Sequence, residues 1–422
     1  MKFKTSTLLI CFYIVLLTLL PFTWWPSSLH LLGGDDIKYE YIEPYLKLSL
    51  LFSNDMVSLA GSVGHLIHEI SAFPFYLILT VLHFILPFIN TQHLVHSVVL
   101  VGGFIGFFWM LRMIPVDSLL EGEVQLFVRF VAANVYAFST FNIITMWDHQ
   151  LPVYVYISTL PFMLGFILRS TQKYSAIDSL AAALLLTFSP SPYGGIPWLA
   201  PVVICGLPLI IALACERPKN LTYTLSTFLI ACLLLMFPAI IAMVEFGGYS
   251  TGTFSSDALR NSIHVFTEVN KNNALIYPIS LVPPQDFLQI KLYFYREFPW
   301  IFETLVYMLA AIIFTLVAVA VILSMRYENR ENRGLLLGVF LSWLLSVILY
   351  AGGGGETLRS LLVAVIEKFP FLLMFRNNYD KFNIAISIFS SLIIYYLLTF
   401  IYINFYRRER FKDGVQNSVL TQ

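Results

Sequence analysis

Phe73-Pro74-Phe75-Tyr76-Leu77-Ile78-Leu79-Thr80-Val81-Leu82-His83-Phe84-Ile85-Leu86-Pro87-Phe88-Ile89 is the stretch on which the topology of this chain turns. It is apolar enough to enter a bilayer, yet it is short, holds a proline near each end and carries His83. A helical span needs about 20 apolar residues and must satisfy its own backbone in lipid. If this stretch crossed, every later loop would change sides. Lysine and arginine decide the matter, because short loops rich in them stay on the cytoplasmic face. Working back from the tail Arg407-Arg408-Glu409-Arg410, the loops holding Arg326, Arg330 and Arg333, then Arg217 and Lys219, Arg169 and Lys173, and Arg112 fall on one side, together with Lys2 and Lys4. The short opposite loops near 142–152 and 189–196 contain no Lys or Arg. That parity holds only when 73–89 does not cross, so the stretch reads as a juxtamembrane helix on the outer face.

The remaining apolar runs lie near 6–25, 95–114, 124–141, 152–169, 178–189, 197–215, 222–245, 300–325, 334–351 and 382–405. They predict an all-α, multi-pass integral protein of the cell membrane, a single domain over 1–422 with about ten spans and both termini cytoplasmic. Composition agrees: 58% of the 422 residues are hydrophobic, 12% are charged and the mean hydropathy is +0.77, whereas soluble domains carry about 25% charge. The run from Ser6 to Trp25 follows Lys2 and Lys4 like a signal peptide, but its length and its Trp24-Trp25 belt favour an uncleaved span. A formal net charge of +0, with no basic tract outside the tail, excludes a nucleic-acid partner. Cys11, Cys205, Cys215 and Cys232 fall in or beside apolar runs without metal-ligand spacing, which argues against disulfides and thiol chemistry. The sequon at Asn220 falls on the inner side and is expected to be unused.

Three long segments, 26–93, 246–299 and 352–381, collect on the outer face, and connections of this length are uncommon unless functional. The first reads Gly33-Gly34-Asp35-Asp36-Ile37-Lys38, then Glu43-Pro44. A carboxylate held against a partly dry cavity can serve as a general base, so Asp36, with Asp35 beside it, is the catalytic candidate. Lys38 can neutralise a phosphate or orient Asp36. The bland reading is that any outer loop needs some charge. Between 142 and 152, Asp148 and His149 offer oxygen and imidazole ligands suited to a divalent Mg or Mn ion; equally, Asp148 can cap a helix while His149 rests in the interface. The third segment opens on Gly352-Gly353-Gly354-Gly355, continues through Arg359, and ends on Arg376, Asn377 and Lys381 before Phe382. Glycines ahead of a helix start allow an anion to approach free N–H groups, and Arg376 with Lys381 can clamp a phosphate. The alternative is a turn followed by cationic anchors snorkelling among aromatics.

These motifs carry a resemblance. One span, an outer acidic loop, a proline-bearing juxtamembrane helix, many further spans and an outer glycine-rich turn resemble the lipid-linked-sugar glycosyltransferases of the GT-C fold class. Asp36-Ile37-Lys38 with Glu43-Pro44, and Phe375-Arg376-Asn377 with Lys381-Phe382, are similar to the membrane core of the alpha-(1→3)-arabinofuranosyltransferase family. In that family the first-loop aspartate precedes Thr-Lys, where this chain has Ile37-Lys38, and the later motif lacks one residue present here. The resemblance implies Asp36 as catalytic residue and Lys38, Glu43, Arg359, Arg376, Asn377 and Lys381 around the substrate. The implied partners are a polyprenyl-phosphate sugar donor, a saccharide or glycoprotein acceptor and membrane lipids. The rival expectations are a flippase or transporter for a lipid-linked saccharide, and a non-catalytic glycan-binding membrane subunit. A transporter calls for charge near the membrane midplane and often for inverted repeats, and the sequence displays neither.

Overall fold

A computed structural model describes residues 5–26, 28, 42–52, 73–120, 122–139, 142–143, 151–188, 192–247, 256–269, 275–280, 299–325, 330–352, 355–369 and 382–403. Among them the chain is helical, with no strand. The helices that matter are α1 (Thr5–Leu19), α2 (Pro44–Phe52), α3 (Phe73–Ile85), α4 (Thr91–Leu111), α5 (Gly122–Ala137), α6 (Leu151–Gln172), α7 (Ala176–Phe188), α8 (Pro192–Glu216), α9 (Pro218–Gly247), α10 (Ser256–Val269), α11 (Pro299–Met325), α12 (Arg330–Tyr350), α13 (Glu356–Lys368) and α14 (Asn383–Tyr402).

Five helical stretches among the described residues are long and apolar enough to cross a membrane: Ser6–Thr23, Thr91–Leu111, Leu199–Glu216, Arg333–Tyr350 and Asn383–Tyr402. They differ in what surrounds them. The Asn383–Tyr402 helix is 83% buried inside the protein whereas Ser6–Thr23 is 11% buried, so α14 forms the axis of the bundle and α1 its lipid-facing edge.

α3 is 13 residues long, about 20 Å of helix, well short of the roughly 30 Å hydrocarbon core. It pairs with α2, where the Tyr45 ring meets His83 and Phe84 at 6.2 and 5.9 Å. Phe75, Tyr76 and Leu79 turn into the same apolar core as Leu17 of α1. The opposite face, including Phe84 and Ile85, stays exposed, as suits a helix lying along an apolar surface.

Helix order follows from the contacts. α1 and α4 run antiparallel: Tyr13 meets Phe104 at 5.3 Å, Ser97 Oγ donates to the Thr18 carbonyl at 2.7 Å, and Trp25 lies 4.2 Å from His93. Both ends of the segment between them therefore sit at one end of the bundle, which we call the tryptophan end. α4 and α6 run parallel and touch closely through small residues. A Cβ on Gly102 would stand 2.6 Å from Ser158 Cβ, one on Gly106 2.9 Å from the Phe162 ring, and one on Gly165 2.3 Å from Trp109. Lipid gives apolar helices no hydrophobic reason to associate, so close van der Waals contact through such residues does the work.

The α8–α12 pair is antiparallel and equally tight. A Cβ on Gly338 would approach Ala212 Cβ to 2.9 Å and Leu209 Cα to 3.0 Å, while one on Gly206 of α8 would meet only Phe389 at 3.6 Å. Gly338→Ala is therefore expected to destabilise by about 1–3 kcal/mol, since a backbone atom blocks the new methyl. Gly206→Ala should be neutral or stabilising by up to about 1 kcal/mol from helix propensity alone. Thermal unfolding in detergent checks the opposite signs, and equal midpoints would contradict the packing.

Candidate functional site

α4 starts where Asn90 caps it, its side chain accepting from the Gln92 amide at 2.9 Å. The helix thus begins ahead of the apolar run that starts near 95. Its first turns carry His93 and His96, and both face the bundle: His93 is 0% and His96 2% exposed. Trp25 stacks obliquely on His93 and meets His96 edge-on at 5.5 Å, Trp24 meets His96 at 6.0 Å, and Phe22 closes on His93 at 5.1 Å. His96 Nδ1 lies 2.7 Å from the Gln92 carbonyl. The result is a closed imidazole and indole cluster that pins the end of α1 to the start of α4. The sequence signal was present in the Trp24-Trp25 pair and the three-residue spacing of the histidines, but neither says that the two segments meet.

At this same end α5 finishes beside the start of α14, where Ser139 and Ser387 hydroxyls hydrogen-bond at 2.9 Å. α6, parallel to α4, also begins here. Trp25, Leu151 and Phe382 are therefore the stems of three segments that start or finish at one end of the bundle. The catalytic candidates Asp35 and Asp36, with Lys38, follow Trp25; the metal-ligand candidates Asp148 and His149 precede Leu151; Arg376, Asn377 and Lys381 precede Phe382. All eight lie outside the described residues.

Two predicted residues are described. Glu43 is exposed directly before α2, and its carbonyl accepts from the Leu46 amide at 3.1 Å. Lost solvation first, and then the Glu43 carboxylate beside it, raise the Tyr45 phenol above its ordinary value. Arg359 is half-buried on α13. Gly352 has φ +58°, a conformation that favours glycine, and α13 begins after Gly355 with Glu356 in its first turn. Glu356 already supplies negative charge to that helix start, which weakens it as an anion site. α13 packs on α10 through Phe266 and Ile366, with Ile263, Leu362 and Val363 around them. The second and third long segments are thus joined by a small apolar core of their own, and Glu43 and Arg359 belong to separate helix pairs.

Among the described residues no group of three or more His, Cys, Asp or Glu side chains could hold a metal ion. The four cysteines are free. The chain matches no protein-family model, no curated protein and no solved structure.

The opposite end of the bundle holds what sequence reading missed. Asp117, in a 3₁₀ turn between α4 and α5, is 4% exposed and Arg129 of α5 is 7% exposed. Arg129 Nε donates to Asp117 Oδ1 at 2.7 Å and its Nη2 to Oδ2; Gln125 Nε2 adds a bond to Oδ2 at 2.9 Å, and the Tyr395 hydroxyl donates to Oδ1 at 2.9 Å. Both carboxylate oxygens are thereby satisfied, which makes this a clamp rather than a reactive group. Nearby, Arg169 pairs with Asp178 and lies over the Trp109 and Phe166 rings at 5.6 and 5.1 Å. The Asn220 amide donates to the Thr171 and Gln172 carbonyls at 3.2 Å each.

Proposed function

We propose that the chain is a membrane glycosyltransferase of GT-C type, passing a sugar from a polyprenyl-phosphate donor to an extracytoplasmic glycan, glycolipid or glycoprotein with inversion. The observation that supports this reading is the convergence of stems: the segments carrying Asp36, Asp148 and Arg376 with Lys381 all attach at the tryptophan end of one helical bundle. Alternate loops of an up-and-down bundle share an end by topology, so the weight rests on the chemistry these three segments carry: a candidate base, a candidate phosphate clamp and a candidate metal site. In this reading the tryptophan end is the outer face, about ten spans cross the cell membrane and both termini are cytoplasmic.

Asp36 accepts the proton of the attacking acceptor hydroxyl as its oxygen bonds to the anomeric carbon, and the bond to the lipid phosphate breaks. Arg376 and Lys381 meet the charge on the departing phosphate, where fixed cations are worth most because the charge develops there. Asp148 and His149 supply ligands for a Mg or Mn ion that would add Lewis-acid stabilisation. Asp35 stands beside Asp36 as the second catalytic candidate, and Lys38, Glu43, Arg359 and Asn377 complete the substrate contacts.

The flippase reading fares worse on the described residues. The ion pairs Asp117–Arg129 and Arg169–Asp178 sit toward the end opposite the tryptophans, and each is already closed. A polar path through the bilayer calls for ionisable groups near its middle. The deciding assay is transfer of radiolabelled sugar from a mixed pool of polyprenyl-phosphate donors by purified protein in lipid. Label in an acceptor supports the enzyme. Donor binding without turnover points to a non-catalytic subunit, and label appearing across a sealed vesicle without transfer points to a flippase.

A further inference from the structure

The α10–α13 pair has an apolar core distinct from the one that joins the spans: Phe266 and Ile366, with Ile263, Leu362 and Val363 around them. That core uses only part of the apolar face of α13. Leu361, Val365 and Phe369 follow one another at four-residue steps and remain 59%, 37% and 52% exposed. At 3.6 residues per turn they share an arc of about 80°, and Glu356, Ser360 and Glu367 group on nearly the opposite side, also exposed. An apolar stripe backed by a charged face is the pattern of a helix that lies in a membrane interface.

We infer that this stripe is seated in the lipid leaflet at the tryptophan end, so that α13 lies along the membrane surface and carries α10 on its flank. Three observations carry this. First, α13 starts beside the end of a membrane span. α9 begins where Asn220 meets Thr171 and Gln172 at the end of α6, so α8 finishes opposite the tryptophans, and α12, antiparallel to α8, finishes at the tryptophan end. Ala351 and Gly352 are still tied to α12, their amides donating to the Val347 and Leu349 carbonyls at 3.1 Å each. Only residues 353–355 separate Gly352 from α13, at most about 14 Å of extended chain. Second, Gly352 has φ +58°, the left-handed conformation that closes a helix and turns the chain off its axis. A helix that follows such a turn need not continue along the span, and lying in the membrane plane is what removes its stripe from water. Third, charge is arranged to suit that seat. Both glutamates of α13 lie away from the stripe, whereas exposed Lys368 flanks it, where its stem can follow the lipid and its ammonium can reach the phosphates. The seat is independent of the sugar-transfer chemistry.

The test is photolabelling of the full chain in phosphatidylcholine nanodiscs whose lipid carries a diazirine on an acyl chain near the ester, with labelled residues mapped by mass spectrometry. Exposed Leu8 and Phe12 of the lipid-facing α1 are the positive control. Label on Leu361, Val365 and Phe369, with none on Glu356, Ser360 or Glu367, is the expected result. Leu361→Glu together with Val365→Glu should abolish label on Phe369 while Leu8 and Phe12 keep theirs; both exchanged positions are exposed, so the Phe266–Ile366 core is left intact. Should that variant fail to fold, a water-soluble diazirine applied to wild type gives the complementary reading: it should mark Glu367 and miss the stripe. Labelled α1 beside unlabelled α13, equal acyl label on both faces of α13, or aqueous label on the stripe would overturn the seat. Cross-links joining the stripes of two copies would assign the surface to a dimer and overturn it as well.

Discussion

Asp36→Asn is expected to cut sugar transfer by about 10²–10⁴-fold, the usual contribution of a positioned general base. The exchange keeps size and hydrogen-bonding shape but removes the acceptor of the proton, so the loss belongs in turnover while donor binding is kept. Asp35→Asn is the internal comparison. The resemblance assigns the role to the residue two before Lys38, so the Asp35 variant should lose far less. Transfer assays beside donor-binding measurements check this. A fully active Asp36→Asn protein would remove the mechanism, and equal losses in the two variants would point to charge in the loop rather than to a base.

Arg129→Met is expected to destabilise the protein by about 3–5 kcal/mol. It leaves the Asp117 carboxylate, which is 4% exposed, hydrogen-bonded to Gln125 and Tyr395 but without its cation. The cost comes less from the lost attraction than from the buried charge that remains. It follows that Asp117→Leu together with Arg129→Met should recover much of the stability, because replacing both members of a buried pair with apolar residues is often nearly neutral. Thermal midpoints for the two single variants and the double variant form the cycle. A double variant as unstable as the sum of the singles would contradict the clamp.

That clamp shows where sequence reading reaches its limit. Arg112, Arg169, Arg217 and Lys219 mark one side of the membrane through a statistical preference that needs no contacts, and the described helices arrange them at one end of the bundle. Yet the loop holding Asp117 looks in sequence like a simple connector. Tyr395 stands 278 residues away from it in the chain, and nothing in the pattern of an apolar helix marks one tyrosine among several as the partner of a buried acid. The same holds for α10 and α13. They lie in separate long segments of the sequence, and only Phe266 against Ile366 shows that the two helices form one unit.

Helical character, membrane residence and the brevity of 73–89 follow from the sequence by itself, because they depend on local quantities: apolar length, proline position and the side on which cations collect. The candidates Asp36, Asp148, Arg376 and Lys381 likewise come from sequence, as residue types with a chemistry. The tertiary structure alone decides that Trp25 meets His93, that α14 is the buried axis, that Gly338 lets α12 touch α8, and that Asp117 is clamped by Arg129, Gln125 and Tyr395. Those are long-range pairings in a medium where every span is apolar. Hydrophobic pattern cannot choose helix neighbours in lipid, and the choice falls to shape and to a few polar contacts that exist only once the helices are packed.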